Sequence, residues 1–208
     1  MAHPIAVGDF LRWYTHDALV RWSAEDLAAQ QRFVNEQMAG MHWLDWSSAS
    51  AALQLWQAEH LAMSVAAPAE CEALLLAGPI VEMVALEPLL RHASAFLKPH
   101  GRLVGIIPCL RDNSPESQLF SEIAASMLWP YLTAEELIEI CRELGCEPNS
   151  ALTHFNRIPQ FNEMVLKDKL AFNGFAEVFR ELERQGYNPM EVGWGELRLA
   201  ASFLCEQF

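Results

Sequence analysis

Two short runs, "CEALLLAGPI" from Cys71 and "RLVGIIP" from Arg102, are apolar at consecutive positions and bounded by glycine or proline. Runs of this length and continuity suit strands buried on both faces. Between them "EPLLRHASAFLKPHG" spaces its apolar residues at helical intervals. Pro88 opens this helix near its first turn, and Pro99 and Gly101 close it. The pattern predicts two adjacent parallel strands in the middle of a sheet, joined by a right-handed helical crossover.

The flanking segments extend the same alternation. "DFLRWYTH" reads as a short helix and "DALVRWS" as a strand ending at a serine. Ser23 then stands at the N-cap of "SAEDLAAQQRFVNEQMAG", with Glu25 and Asp26 in the first turn, where the helix dipole favours negative charge, and Gly40 at its stop. "MHWLDWSS" predicts a strand, and "ASAALQLWQAEHLAMSVAA" a helix running to Pro68. Beyond Pro108, "CLRDNSPESQ" reads as a turn-rich loop and "LFSEIAASMLWPYL" as partly helical. "TAEELIEICRELG" carries Thr133 as N-cap, Glu136 at the capping-box position and Gly145 as stop. "NSALTHFNRIPQFNEMVLKDKLAF" fits strands or helix equally, "GFAEVFRELERQG" is helical, and "GELRLAASFLCEQF" fits a closing strand. The expected architecture is α/β and Rossmann-like: a mostly parallel sheet, helices on both faces, an antiparallel closing strand.

Length and composition narrow the function. With 208 residues and 52% hydrophobic side chains, the chain suits a single domain over residues 1–208 with a sizeable core. Residues 150–190 exceed a simple strand connection and read as a lid, a partner-binding insertion or an extra layer over the core. The net charge of −13, without a cluster of Lys or Arg, argues against nucleic acid, because neutralising phosphates needs a concentrated basic surface. No apolar run approaches the roughly 20 residues that span a bilayer. The N-terminus lacks a basic segment followed by an apolar one, so neither membrane nor export is expected and the reading is cytoplasmic. Five cysteines without CxxC spacing suit reduced, buried thiols rather than disulfides or a zinc site.

From Cys71 to Gly145, a strand "ALLLAGPIVE", a helix ending "AFLKPHG", a strand "RLVGIIP" and "LTAEELIEICRELG" resemble the second half of a class I S-adenosylmethionine-dependent methyltransferase. "LKPHG" is similar to that family's "LKPGG" turn before its fifth strand. More faintly, "ALVRWSAEDLAAQQRF" resembles the family's second strand and following helix, and "MHWLDWSS" its third strand. The resemblance implies S-adenosylmethionine as cofactor, with Asp45 facing the adenine amino group. It also implies Trp22 and Trp46 flanking the adenosine, and Ala77 and Gly78 beside the methionine part.

Two departures accompany it. The family's GxGxG loop, whose glycines let the backbone turn and the cofactor approach, is represented only by "MAHPIAVG". If Gly8 is the third glycine, Pro4 and Ala6 stand where the first two belong; if it is the first, the loop is shortened. At the end of the second strand, where a carboxylate accepts from the ribose hydroxyls, the chain has Arg21, a donor only. The first strand is thus shortened, missing, or encoded upstream of Met1. In the family that strand lies between the second and the fourth, so its loss predicts that "PIAV" supplies a substitute or that a partner covers the edge in a homo-oligomer.

The plain readings compete throughout. Asp45 reads also as a plain strand-end carboxylate, and Trp22, Trp43, Trp46 and Trp56 read as core, where aromatics at such positions more often lie. His60 and His92 belong to the residue type most used as a general base, but each falls in a predicted helix where the surrounding sequence shows no catalytic pattern. Cys109 stands beside the loop after the fifth strand, where open α/β sheets place ligands, and reads otherwise as a buried thiol. Cys141 and Cys146 make no metal-ligand pattern. Two functions follow: a methyltransferase for a small-molecule substrate, or a catalytically inactive methyltransferase-like subunit that binds a protein partner.

Overall fold

The computed structural model describes residues 24–48, 70–78, 81, 86–127, 131–155 and 173–204. Among these residues five strands form one sheet: β1 (Trp43–Asp45), β2 (Cys71–Leu76), β3 (Leu97–Leu110), β4 (Cys146–Phe155) and β5 (Trp194–Phe203), in the order β1-β2-β3-β5-β4. β1, β2 and β3 are mutually parallel, and β5 runs antiparallel to both β3 and β4. The two apolar runs are thus adjacent parallel strands, linked through a segment that contains α2 (Leu86–Ser94), with Pro88 in its first turn. The closing strand is antiparallel, as its sequence predicts.

Alternation on the strands assigns the two faces. Leu74, Leu76, Leu103, Ile107, Leu197 and Leu199 share a core with Leu89 and Leu90 of α2 and Leu137 of α4 (Ala134–Glu143). Phe120 of α3 (Pro115–Met127) and Phe179 of α5 (Asn173–Arg184) meet in that core at a ring separation of 5.8 Å. On the opposite face α1 (Ala24–Met38) lays Val34 and Met38 over Ala73, Leu75, Ala77 and Val104. The C-terminal end of α1 is tied down by Arg102, whose Nη1 donates to the Gln37 carbonyl at 2.7 Å. A cation on the last carbonyls suits both their unpaired acceptors and the helix dipole.

The α4 N-terminus carries the reciprocal cap expected from its sequence. Thr133 N–H donates to Glu136 at 2.8 Å, and Glu136 N–H donates back to the Thr133 hydroxyl. Across the 150–190 region, β4 is a full partner of β5, and Val178, Phe179 and Leu182 of α5 are buried in the core.

Three expectations are corrected. The helix before β3 ends at Ser94, because Cys71 N–H takes the Phe96 carbonyl at 2.8 Å and Leu97 already pairs with Cys71. Residues 98–101 then loop out before Arg102 pairs with Ala73. Second, "SPESQ" is the first turn of α3: Ser114 Oγ accepts from Ser117 N–H, with Pro115 at the first helical position. Cys109 accordingly lies within β3.

Third, β1 does not take the third-strand place. It pairs directly with β2, Trp43 opposite Ala73 and Asp45 opposite Leu75, which is the position the resemblance gives to the family's first strand. The inner strand needs backbone partners on both sides, and the chain supplies them from "HWLDW". "PIAV", "ALVRWS" and "ASAALQLWQAEHLAMSVAA" lie outside the described residues.

The loop of residues 98–101 carries one strained residue: His100 sits at φ 61° where the turn wants glycine. A left-handed conformation costs an L-residue about 1–2 kcal/mol, partly offset because glycine is more flexible when unfolded. His100→Gly is therefore expected to raise the melting temperature by about 1–3 °C, read by thermal denaturation, whereas His100→Val lowers it.

Candidate cofactor and substrate site

Because β1, β2 and β3 are parallel, their C-terminal ends open on one edge of the sheet, the edge where open α/β sheets bind ligands. Asp45 closes β1 with an exposed side chain, and its Oδ1 accepts from the Ser47 N–H at 2.7 Å. That bond folds the chain back across the end of β2. Gly78 lies beneath it at φ 68°, where an added Cβ would stand 2.4 Å from the Ser47 carbonyl oxygen. Glycine is required here twice, for its backbone angle and for the close approach.

Trp46 leaves β1 in the other direction. Its N–H donates to the Leu75 carbonyl at 2.9 Å, and its ring is buried edge-on against Phe96, with centroids 5.3 Å apart. Ala77 is buried in the layer under α1. The structure thus gathers Asp45, Trp46, Ala77 and Gly78 at one edge, with Trp46 turned into the core. Gly8, Trp22, Arg21, Trp56 and His60 lie outside the described residues, and Trp43 is exposed.

At the end of β3, Arg111 N–H donates to the Gly193 carbonyl at 2.9 Å, and its Nε donates to Asp112 Oδ2 at 2.7 Å. This hydrogen bond and its charge hold the Asp112 carboxyl below the usual carboxylate range. The other carboxylate oxygen of Asp112 accepts from Ser114 N–H at 3.1 Å and from the Ser117 hydroxyl at 3.4 Å. Sequence reasoning marked this loop by its place after β3 but singled out Cys109 rather than Arg111.

The four cysteines among the described residues are free and buried. Burial pushes Cys109 up to about 12, with the Glu196 carboxylate adding to it, and pushes Cys141 up to about 11 and Cys146 to about 12. Thiols held this high stay protonated and do not act as nucleophiles. On the α1 side of the sheet, Glu196 and Arg198 of β5 form a buried pair, Arg198 Nε donating to Glu196 Oε1 at 2.6 Å. Gln30 of α1 donates to the other oxygen, Oε2. No cluster of three His, Cys, Asp or Glu able to hold a metal ion occurs among the described residues, and no described helix is long and apolar enough to cross a membrane.

Neither a protein-family model nor a curated protein matches the sequence. Solved structures do match. A SAM-dependent methyltransferase from Thiobacillus denitrificans, solved with S-adenosyl-L-homocysteine, superposes at a TM-score of 0.51 with 15% identity, over 97% of this chain and 99% of its own. YjhP from E. coli gives 0.54 with 16% identity, over 91% and 98% of the two chains. The [4+2]-cyclase SpnF gives 0.51 with 19% identity, over 85% and 81%. The fold is that of the class I methyltransferases, a mixed sheet closed by an antiparallel strand and covered by helices on both faces.

Proposed function

We propose that the protein is an S-adenosylmethionine-dependent methyltransferase acting on a small molecule. The observation that carries this reading is the near full-length match to a methyltransferase fold solved with S-adenosyl-L-homocysteine bound. A cyclase shares this fold, so the chemistry rests on the residues at the sheet edge.

They fit part of the cofactor. Asp45 spends one carboxylate oxygen on Ser47, and Oδ2 makes no hydrogen bond among the described residues. A free carboxylate oxygen at this edge is the acceptor that an adenosine amino or hydroxyl group requires. Ala77 and Gly78 supply a backbone wall beside it, and the Gly78 φ of 68° sets the direction in which the chain leaves β2. S-adenosylmethionine, when bound, supplies an electrophilic methyl group on a sulfonium for in-line transfer to a nucleophile of the substrate. The protein's task is then orientation, so the chain needs no catalytic side chain beyond those that hold the two reactants in line. The four free, buried cysteines of the described residues support a reducing compartment such as the cytoplasm.

Incubation with S-adenosylmethionine labelled in the methyl group, across a panel of small phenols, amines, thiols and carboxylic acids, tests the reading. Label is expected in one class of product. Tight binding of S-adenosylhomocysteine with no transfer to any acceptor would instead identify a non-catalytic binding protein. Asp45→Asn keeps an oxygen for the Ser47 turn but removes the charge. It is expected to weaken S-adenosylhomocysteine binding about tenfold, since hydrogen bonds to charged groups contribute about 1.5–3 kcal/mol. Its melting temperature should stay at that of the wild type.

A further inference from the structure

Positive side chains are scarce in a chain with 14 Lys and Arg against 27 Asp and Glu. One of them, Arg111, stands one residue past the end of β3, the strand next to β2, on the edge of the sheet where open α/β sheets bind ligands. Its backbone N–H is bonded to Gly193 and its Nε to Asp112. Asp112 is fixed in turn by Ser114 and Ser117.

The side chain lies flat along Gly193. A Cβ at residue 193 would stand 2.7 Å from Arg111 Cβ, 2.9 Å from its Nε and 3.2 Å from its Cζ. An ion pair between sequence neighbours needs no such bare backbone beneath it. The glycine makes sense when this one rotamer of Arg111 must be kept.

What the arrangement leaves free is the outer fork. Nη1 and Nη2 enter no hydrogen bond among the described residues, and the side chain is 49% exposed. The Asp112 carboxylate cancels much of the charge at long range, so attraction at a distance is weak. The remaining recognition is geometric: two coplanar N–H groups at fixed spacing match the two oxygens of a carboxylate or phosphate.

We propose that Arg111 anchors a carboxylate or phosphate group carried by the methyl acceptor, so that the substrate is a small organic anion. This assignment rests on the methyltransferase reading and names the class of its substrate. Gly193 acts as a positioning residue, because it touches Arg111 rather than the ligand.

The test follows the side-chain Nε–H signal of Arg111 in ¹⁵N-labelled protein, identified by its loss in Arg111→Lys. Inorganic phosphate and benzoate are titrated separately, in the presence of S-adenosylhomocysteine. The signal is expected to shift saturably with one of the two anions, and which one responds tells phosphate from carboxylate. Arg111→Lys, which keeps the charge without the fork, should weaken that binding by about tenfold or more. Gly193→Ala, which keeps the arginine but displaces it, should weaken it as well. An Arg111 signal unmoved by both anions, or a lysine variant that binds them as tightly as the wild type, overturns the proposal. Calorimetry with S-adenosylhomocysteine alone reads the cofactor separately. Should no heat appear, the methyltransferase reading fails, and the same titrations repeated without it still report on the Arg111 anion site.

Discussion

Replacing Gly78 with alanine is expected to lower the melting temperature by about 4–16 °C and to abolish cofactor binding together. The alanine methyl would meet the Ser47 carbonyl at 2.4 Å, so one of the two strand exits must move. Neither moves freely. Ser47 is held by Asp45, and Trp46, one residue before it, is bonded to Leu75 and packed on Phe96. The φ of 68° adds its own cost of about 1–2 kcal/mol for any residue with a Cβ. Together these give about 2–4 kcal/mol, and a chain of this size loses about 2–4 °C per kcal/mol. Moving Ser47 also moves Asp45 and the bare backbone beside it. Thermal melts and calorimetric titration of the same preparation check both halves.

The second large effect is expected at the buried pair on β5. Glu196 and Arg198 are 1% and 3% exposed, and Gln30 of α1 completes the carboxylate's contacts. Arg198→Met leaves the carboxylate buried without its cation, a change that typically costs about 3–5 kcal/mol. The Glu196 pKa is already raised by burial, against the opposing pull of Arg198 and Gln30, and Asp26 pushes it further up. Removing Arg198 raises it more. A carboxyl whose folded pKa lies above its unfolded value stabilises the fold at low pH, and that contribution is lost as pH rises through the folded value. The Arg198→Met deficit should therefore be smaller near pH 5 than near pH 8 in urea-unfolding experiments.

Among the described residues Arg198 Nη2 is buried with no hydrogen-bond partner, so the pair is incompletely satisfied by them. The double variant Glu196→Gln/Arg198→Met is accordingly expected to regain most of the lost stability and to lose the pH dependence. A double variant no better than the single one would count against this view of the pair.

What the sequence revealed is the part of the fold governed by local pattern. β2 and β3 announce themselves because strands covered on both faces are apolar at consecutive positions, and α4 because Thr133 and Glu136 satisfy each other's backbone over a single turn. The misread joins are those where a distant strand decides. Ala95, Phe96 and Leu97 continue the helical spacing of α2, yet Cys71 captures the Phe96 carbonyl and draws the next residue into the sheet. β1 is three residues long and alternates too briefly to show which neighbour it takes; only pairing with β2 settles it. In the candidate site, Asp45 and Gly78 were legible as strand-end residues, but not the Ser47 carbonyl that joins them. Arg111 gave no signal as a candidate because Gly193, the backbone it lies against, is far along the chain.

Whether the sheet edge formed by Asp45 and Gly78 binds an S-adenosyl cofactor is read by isothermal titration of the purified protein with S-adenosylhomocysteine. Saturable heat at one site per chain is expected, weakened by Asp45→Asn and absent in Gly78→Ala. No heat and no shift in melting temperature at about 1 mM ligand, where even a weak site of about −4 kcal/mol is half filled, would contradict it.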